Sequence, residues 1–241
     1  MSQTVTRDDP LGHAIRDYYH GEQDEPLIDH DGTETREQPI EQFYFGEFDP
    51  ESDAGAWEES WLDGPLLDIG AGAGRDTLYF QEQFETVAIE ISEYLVETMR
   101  DRGVRDARHV DMFELRENFA RDRFQSAYAF GTQVGLTKSM HGLRKFLGDL
   151  AFVTTSDGTA LIHGYDPEQA ATTEIIGYRD DPTPGLAYRV YHTEYKNDSE
   201  TLLFRLFSPD QLQEAAVGTG WEVVEVRHGS ERTYTAALGK R

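Results

Sequence analysis

The residues best placed to do chemistry are three glycines and three acids. Asp68-Ile69-Gly70-Ala71-Gly72-Ala73-Gly74 spaces its glycines G-x-G-x-G directly behind a short apolar run. Small residues there let the backbone approach a ligand and enter a helix sharply. A dinucleotide fingerprint would read G-x-G-x-x-G and put glycine at position 75, where this chain has Arg75. Glu90 closes the next apolar run, Val87-Ala88-Ile89-Glu90-Ile91, 20 residues after Gly70. At that spacing a carboxylate can accept both hydroxyls of a ribose. Asp111 follows a third run, in His109-Val110-Asp111-Met112, where it can accept an exocyclic amine. Taken singly, Glu90 is equally a surface acid and Asp111 equally a solvated loop residue. Their order after successive strands is what distinguishes them.

The elements that must position these residues follow from periodicity. Residues 65–69, 86–91, 107–110, 124–130 and 158–163 read as strands, the last after the turn Ser156-Asp157-Gly158. Between them, 75–83 reads as a helix. Ser92 caps another with Leu95, Val96 and Met99 buried and Gly103 as its stop, and Met140, Leu143, Phe146, Leu147 and Leu150 mark a third. Strands alternating with helices predict an α/β doubly wound, mostly parallel sheet, here of seven strands. Ser208-Pro209 starts a last helix, and residues 221–227 and 233–238 form a closing hairpin that supplies an antiparallel C-terminal strand.

Two segments fall outside this rhythm. Residues 1–63 read as an N-terminal helical cap on a domain spanning 64–241. The cap has a helix over 9–20, a turn at Asp31-Gly32 between short strands, and a second helix carrying Trp57 and Trp61. An insertion at about 165–207 reads as an antiparallel pair flanking a turn at 196–200.

On these residues the sequence resembles the class I, Rossmann-like, S-adenosylmethionine-dependent methyltransferases. The resemblance covers residues 64–163 well and 208–239 in outline. It implies S-adenosyl-L-methionine as cofactor. Gly70, Ala71, Gly72 and Gly74 would pass under its methionine part, and Asp68 would orient the loop or reach the ligand amine through water. Glu90 would hold the ribose, Ile91 would flank adenine, and Asp111 with the Met112 amide would hold the adenine edge. Gly131, after the fourth strand, would face the sulfonium. Arg75 would stand near the methionine carboxylate or in a surface salt bridge.

Methyl transfer from a sulfonium is an in-line displacement with a good leaving group, so alignment and water exclusion supply most of the rate and a dedicated base is optional. No catalytic residue is assigned. His163 is a candidate base, although a plain hydrogen-bonded histidine is the commoner occupant of a strand end. Tyr18, Tyr19 and Tyr44 can line an acceptor pocket or simply pack. Tyr188, Tyr191 and Tyr195 of the insertion can roof it. The Asn/Asp-Pro-Pro-Tyr signature of amine methylation on adenine or glutamine is absent after the fourth strand.

Composition narrows the acceptor to a small molecule. The net charge is −24, with acids spread along the chain and only four lysines, Lys138, Lys145, Lys196 and Lys240. A dispersed acidic, lysine-poor surface suggests a halophilic protein, of the kind found in salt-rich archaeal cytoplasm, where counterions screen self-repulsion. No basic stripe is visible, so nucleic acid is disfavoured. No stretch is long and apolar enough for a membrane span, and the first residues carry no apolar signal core, so a cytoplasmic location is expected. Cysteine is absent, so thiolate metal sites and cysteine nucleophiles are excluded, and no metal is expected. The oligomeric state is unassigned. A catalytically silent S-adenosylmethionine-binding sensor or partner subunit remains an alternative, and an NAD-dependent oxidoreductase is disfavoured by Arg75.

Overall fold

The computed structural model describes residues 8–229 and 231–241. The segment 1–7, on which the expectation about a signal core rests, lies outside the described residues. The chain opens with α1 (Pro10–His20), the hairpin strands β1 (Ile28–Asp31) and β2 (Glu34–Glu37), a turn of π-helix at Glu41–Phe45, and α2 (Asp53–Trp61). An alternating series follows: β3 (Leu66–Ile69), α3 (Arg75–Phe80), β4 (Thr86–Glu90), α4 (Glu93–Asp101), β5 (Ala107–His109), α5 (Leu115–Asn118), β6 (Phe124–Ala129), α6 (Met140–Val153) and β7 (Thr154–Tyr165). Next come β8 (Tyr178–Asp180), β9 (Leu186–Tyr195) and β10 (Asp198–Phe207), and then α7 (Pro209–Ala216), β11 (Trp221–His228) and β12 (Thr233–Lys240) close the chain.

Seven strands form the main sheet in the order β11-β12-β7-β6-β3-β4-β5. Strands β3 to β7 pair parallel, while β12 is antiparallel to both β7 and β11. The expected doubly wound sheet with its antiparallel hairpin is therefore present. All four residues of β3 are buried, as a strand covered on both faces requires. Leu67, Ile69, Val87 and Ile89 face α5, α6 and α7 in the largest core cluster. Leu66 and Ala88 face the other way, toward α2, α3 and α4.

Sequence and structure differ at residues 154–158. The turn expected at Ser156-Asp157-Gly158 is absent, and β7 runs through it with a register shift between the Phe124 and Ser126 pairings. The extra residues are absorbed as a bulge, in which a side chain on Gly158 would approach the Gln125 and Thr155 carbonyls to 3.0 and 3.1 Å.

The N-terminal hairpin and the insertion join each other. β1 pairs antiparallel with β9, which also pairs with β10 and β8, so a second sheet of five strands forms from segments far apart in sequence. Asp29, Arg189, Tyr191, Thr193 and Tyr195 share one face of it by register. Phe204 on β10, opposite Arg189, packs against Gly135 in the loop after β6. That face therefore overhangs the ends of β3 and β6. No helix among the described residues is long and apolar enough to cross a membrane.

Helix α1 is anchored beside β4. Asp9 caps it by accepting from the Gly12 amide at 2.8 Å and also bonds the Ser92 hydroxyl, which itself caps α4. Replacing Asp9 with alanine should cost about 1 kcal/mol in urea unfolding at fixed salt, with Asp9→Asn recovering most of it. Equal losses in both variants would show that the Ser92 contact, not the cap, is what matters.

Candidate functional site

The loop between β3 and α3 is shaped by its glycines. Gly70, Gly72 and Gly74 hold φ at +65°, +58° and +77°, left-handed values that a side chain resists. Space is also short. A Cβ on Gly70 would lie 2.3 Å from the Gln133 side chain, and one on Gly74 would lie 2.7 Å from Val104. A Cβ on Gly72 would lie 3.3 Å from the Tyr44 ring, so Tyr44 covers the loop. Ala71 packs toward Val96 and Met99 of α4.

Asp68 fastens the loop from below. Its Oδ2 accepts from the Thr77 hydroxyl of α3, tying strand to helix. Burial pushes its carboxyl up to about 7; the Thr77 hydrogen bond opposes the rise and neighbouring Asp76 adds to it. Glu90, at the end of β4, reaches back to the loop. Its Oε2 accepts from the Gly72 amide at 3.2 Å and its Oε1 from the Ile91 amide at 2.8 Å. Burial raises its carboxyl against these backbone bonds.

The neighbouring strand ends complete one side of the crevice. After β5, Asp111 Oδ1 accepts from the Phe113 amide at 2.9 Å while Met112 is buried below. Ile91 and Phe113 expose apolar side chains beside it, 48% and 38% accessible. After β6, Gly131 and Thr132 are both left-handed, with φ of +72° and +68°. They set Gln133 over the loop, with its Nε2 3.4 Å from the Gly70 carbonyl. Gln133 was missed as a site residue; its place beside Gly131 was the available signal.

His163 lies near the end of β7 and stacks on Phe130 at 4.2 Å, while Arg75 covers Phe130 at 5.2 Å. Burial, reinforced by the Arg75 charge, lowers His163 to about 4, and its buried Nδ1 has no hydrogen-bond partner. Arg75 itself is held by Asp76 through two bonds of 2.8 and 2.9 Å. Tyr18 and Tyr19 are not brought to the loop by their hydroxyls: Tyr18 is engaged by Glu41, and Tyr19 donates to the Asp101 carbonyl at 3.1 Å. Tyr44 lies over Gly72 and Tyr191 packs on Phe204, which meets Gly135, whereas Tyr195 bonds Asp17 and Tyr188 stacks under Arg205 on the opposite face. Among the described residues no three His, Asp or Glu side chains gather as a metal site.

No protein-family model and no curated protein matches the chain. Solved structures do. A methyltransferase from Bacteroides fragilis, bound to S-adenosyl-L-homocysteine, is similar over 97% of this chain and 95% of its own, with 25% identity and a TM-score of 0.77. The chain has the fold of the class I S-adenosylmethionine-dependent methyltransferases. Two further methyltransferases match at lower identity and show the fold only. One is the 1,6-didemethyltoxoflavin-N1-methyltransferase of Burkholderia thailandensis, with 20% identity, a TM-score of 0.52, and coverage of 73% of this chain and 70% of its own. The other is CcbJ of Streptomyces caelestis, with 14% identity, a TM-score of 0.60, and coverage of 77% and 93%.

Asp68 has a pH signature. Its carboxyl rises from the ordinary 3.8 to about 7, so the folded protein keeps a proton the unfolded chain gives up. The group's contribution to stability therefore declines as pH rises through that window. His163 acts in the opposite sense, costing stability as pH falls from 6.5 to about 4. Asp68→Asn should thus gain stability relative to the parent between pH 5 and pH 8, read by urea midpoints. A constant difference across that range would mean Asp68 does not hold the proton.

Proposed function

We propose that the protein transfers the methyl group of S-adenosyl-L-methionine to a small-molecule acceptor, working in a salt-rich cytoplasm. Glu90 carries this reading. It closes the strand beside the glycine loop with both oxygens on backbone amides, where ribose hydroxyls can be received. Gly70, Ala71, Gly72 and Gly74 would underlie the methionine part, held in shape by Asp68. Ile91 would flank adenine, Asp111 and the Met112 amide would take its edge, and Gly131 would face the sulfonium.

The reaction asks for alignment. The acceptor's lone pair attacks the methyl carbon as the carbon–sulfur bond breaks, and S-adenosylhomocysteine leaves neutral. Residues 1–63 and the insertion at about 165–207 would cap the acceptor side. Their second sheet overhangs the loop, which suits a compact acceptor better than a polymer. The Burkholderia neighbour carries a small heterocyclic acceptor beside S-adenosylhomocysteine, and that size class is proposed here. A net charge of −24 weighs against a nucleic acid acceptor.

Calorimetry in molar KCl should show binding of S-adenosylhomocysteine and none of NAD. Glu90→Gln should weaken that binding by roughly tenfold or more, the usual loss for a hydrogen bond to a charged group. Unchanged affinity in the variant would remove Glu90 from the ribose site, and no binding in the parent would end the proposal.

The salt reading has its own measurement. The thermal midpoint should climb steadily from dilute buffer to molar KCl, beyond the tenths of molar at which simple screening saturates. A flat curve would mean that the acidic surface is not an adaptation to salt.

A further inference from the structure

A buried carboxylate on the second sheet is only half satisfied. Asp29, on β1, is 1% exposed. Its Oδ2 accepts from Arg189 on β9 at 3.1 Å and from the Gln38 amide. Its Oδ1 is buried and has no hydrogen-bond partner. Buried acceptors are almost always hydrogen-bonded in native proteins, so one left without a partner points to a use.

What surrounds Asp29 points to that use. Strand register puts Asp29, Arg189 and Tyr191 on the sheet face that overhangs the glycine loop. Tyr44, whose ring covers Gly72, packs against the same apolar cluster as Tyr195 of that face. Tyr191 lies two residues along β9 from Thr193, the register partner of Asp29. Asp29 therefore shares its sheet face with Tyr191 and with the cluster that holds Tyr44 over the loop. The Arg189 guanidinium lies 4.5 Å over the Tyr191 ring and neutralises the carboxylate from behind. The remaining oxygen thus suits an uncharged hydrogen-bond donor better than a full cation, and the tyrosine rings suit a planar partner.

We infer that Asp29 Oδ1, backed by Arg189 and flanked by Tyr44 and Tyr191, recognises an N–H or O–H group on a planar, uncharged methyl acceptor. This rests on the methyl-transfer reading and deepens it: Asp29 selects the acceptor, while the glycine loop and Glu90 hold the cofactor.

The test uses small probes on the full-length protein saturated with S-adenosylhomocysteine in molar KCl. Ligand-observed NMR compares 2-aminopyrimidine with pyrimidine for an N–H donor, and phenol with anisole for O–H. In the parent, at least one donor should bind about tenfold more tightly than its donor-free partner. Asp29→Asn should bring that ratio to within about twofold while S-adenosylhomocysteine affinity stays unchanged. If the variant does not fold, transferred Overhauser contacts from the bound donor probe to the Tyr44 or Tyr191 ring in the parent decide in favour. Contacts elsewhere, no donor preference, no probe binding, or a preference that survives Asp29→Asn would each overturn the inference. Failure of the protein to bind S-adenosylhomocysteine would instead strike the methyl-transfer reading, and this inference with it.

Discussion

Between β3 and α3 the backbone turns left-handed at Gly70, Gly72 and Gly74, and each turn brings another part of the molecule into contact. Gly70 admits Gln133 from the loop after β6, Gly72 admits Tyr44 from the N-terminal segment, and Gly74 admits Val104 from the turn after α4. A side chain at any of the three would be strained in its own conformation and would push a neighbour away. The crevice therefore takes its shape from backbone geometry first. Glu90 then fixes the loop from the adjacent strand through the Gly72 amide, and Asp68 fixes it from beneath through Thr77.

The second sheet depends on that arrangement in turn. Its strands come from two segments about 160 residues apart, and Arg189 bonding Asp29 is one of the links between them. Neither segment has a core of its own to match the main sheet's. Tyr195 and Leu27 share a cluster with Ala73 at the end of the glycine loop, and Phe204 seats on Gly135. The cap is thus stabilised by the surface it covers, and the contact between them is made by residues that no short stretch of sequence brings together.

This explains what could be read from the chain beforehand. The main sheet was legible because each strand is a local apolar run and each helix carries its own stop signals, such as Gly103 after α4. The glycine loop, Glu90 and Asp111 were legible because topology puts them after consecutive strands. The turn expected at Ser156-Asp157-Gly158 is replaced by a bulge because β7 pairs with β6 on both sides of it, at Thr154 and again from Thr159. Asp29 and Arg189 were illegible for a different reason. In a chain with 46 acids, one more aspartate in a polar hairpin carries no signal. Only burial of its oxygens distinguishes it from the rest, and burial there is a property of the assembled sheet.

The charges collected at the crevice bear on the proposed reaction itself. Asp68 and Glu90 are both held above the usual carboxylate range, and in each case burial is the leading cause. Carboxylates that resist ionisation in a partly dry site gain more from a nearby positive charge than solvated ones would. A sulfonium brings that charge in with the cofactor, and methyl transfer removes it from the sulfur. On the proposed reading, the substrate form of the cofactor is therefore favoured over the product form by these two acids, and the neutral thioether is the form that is released.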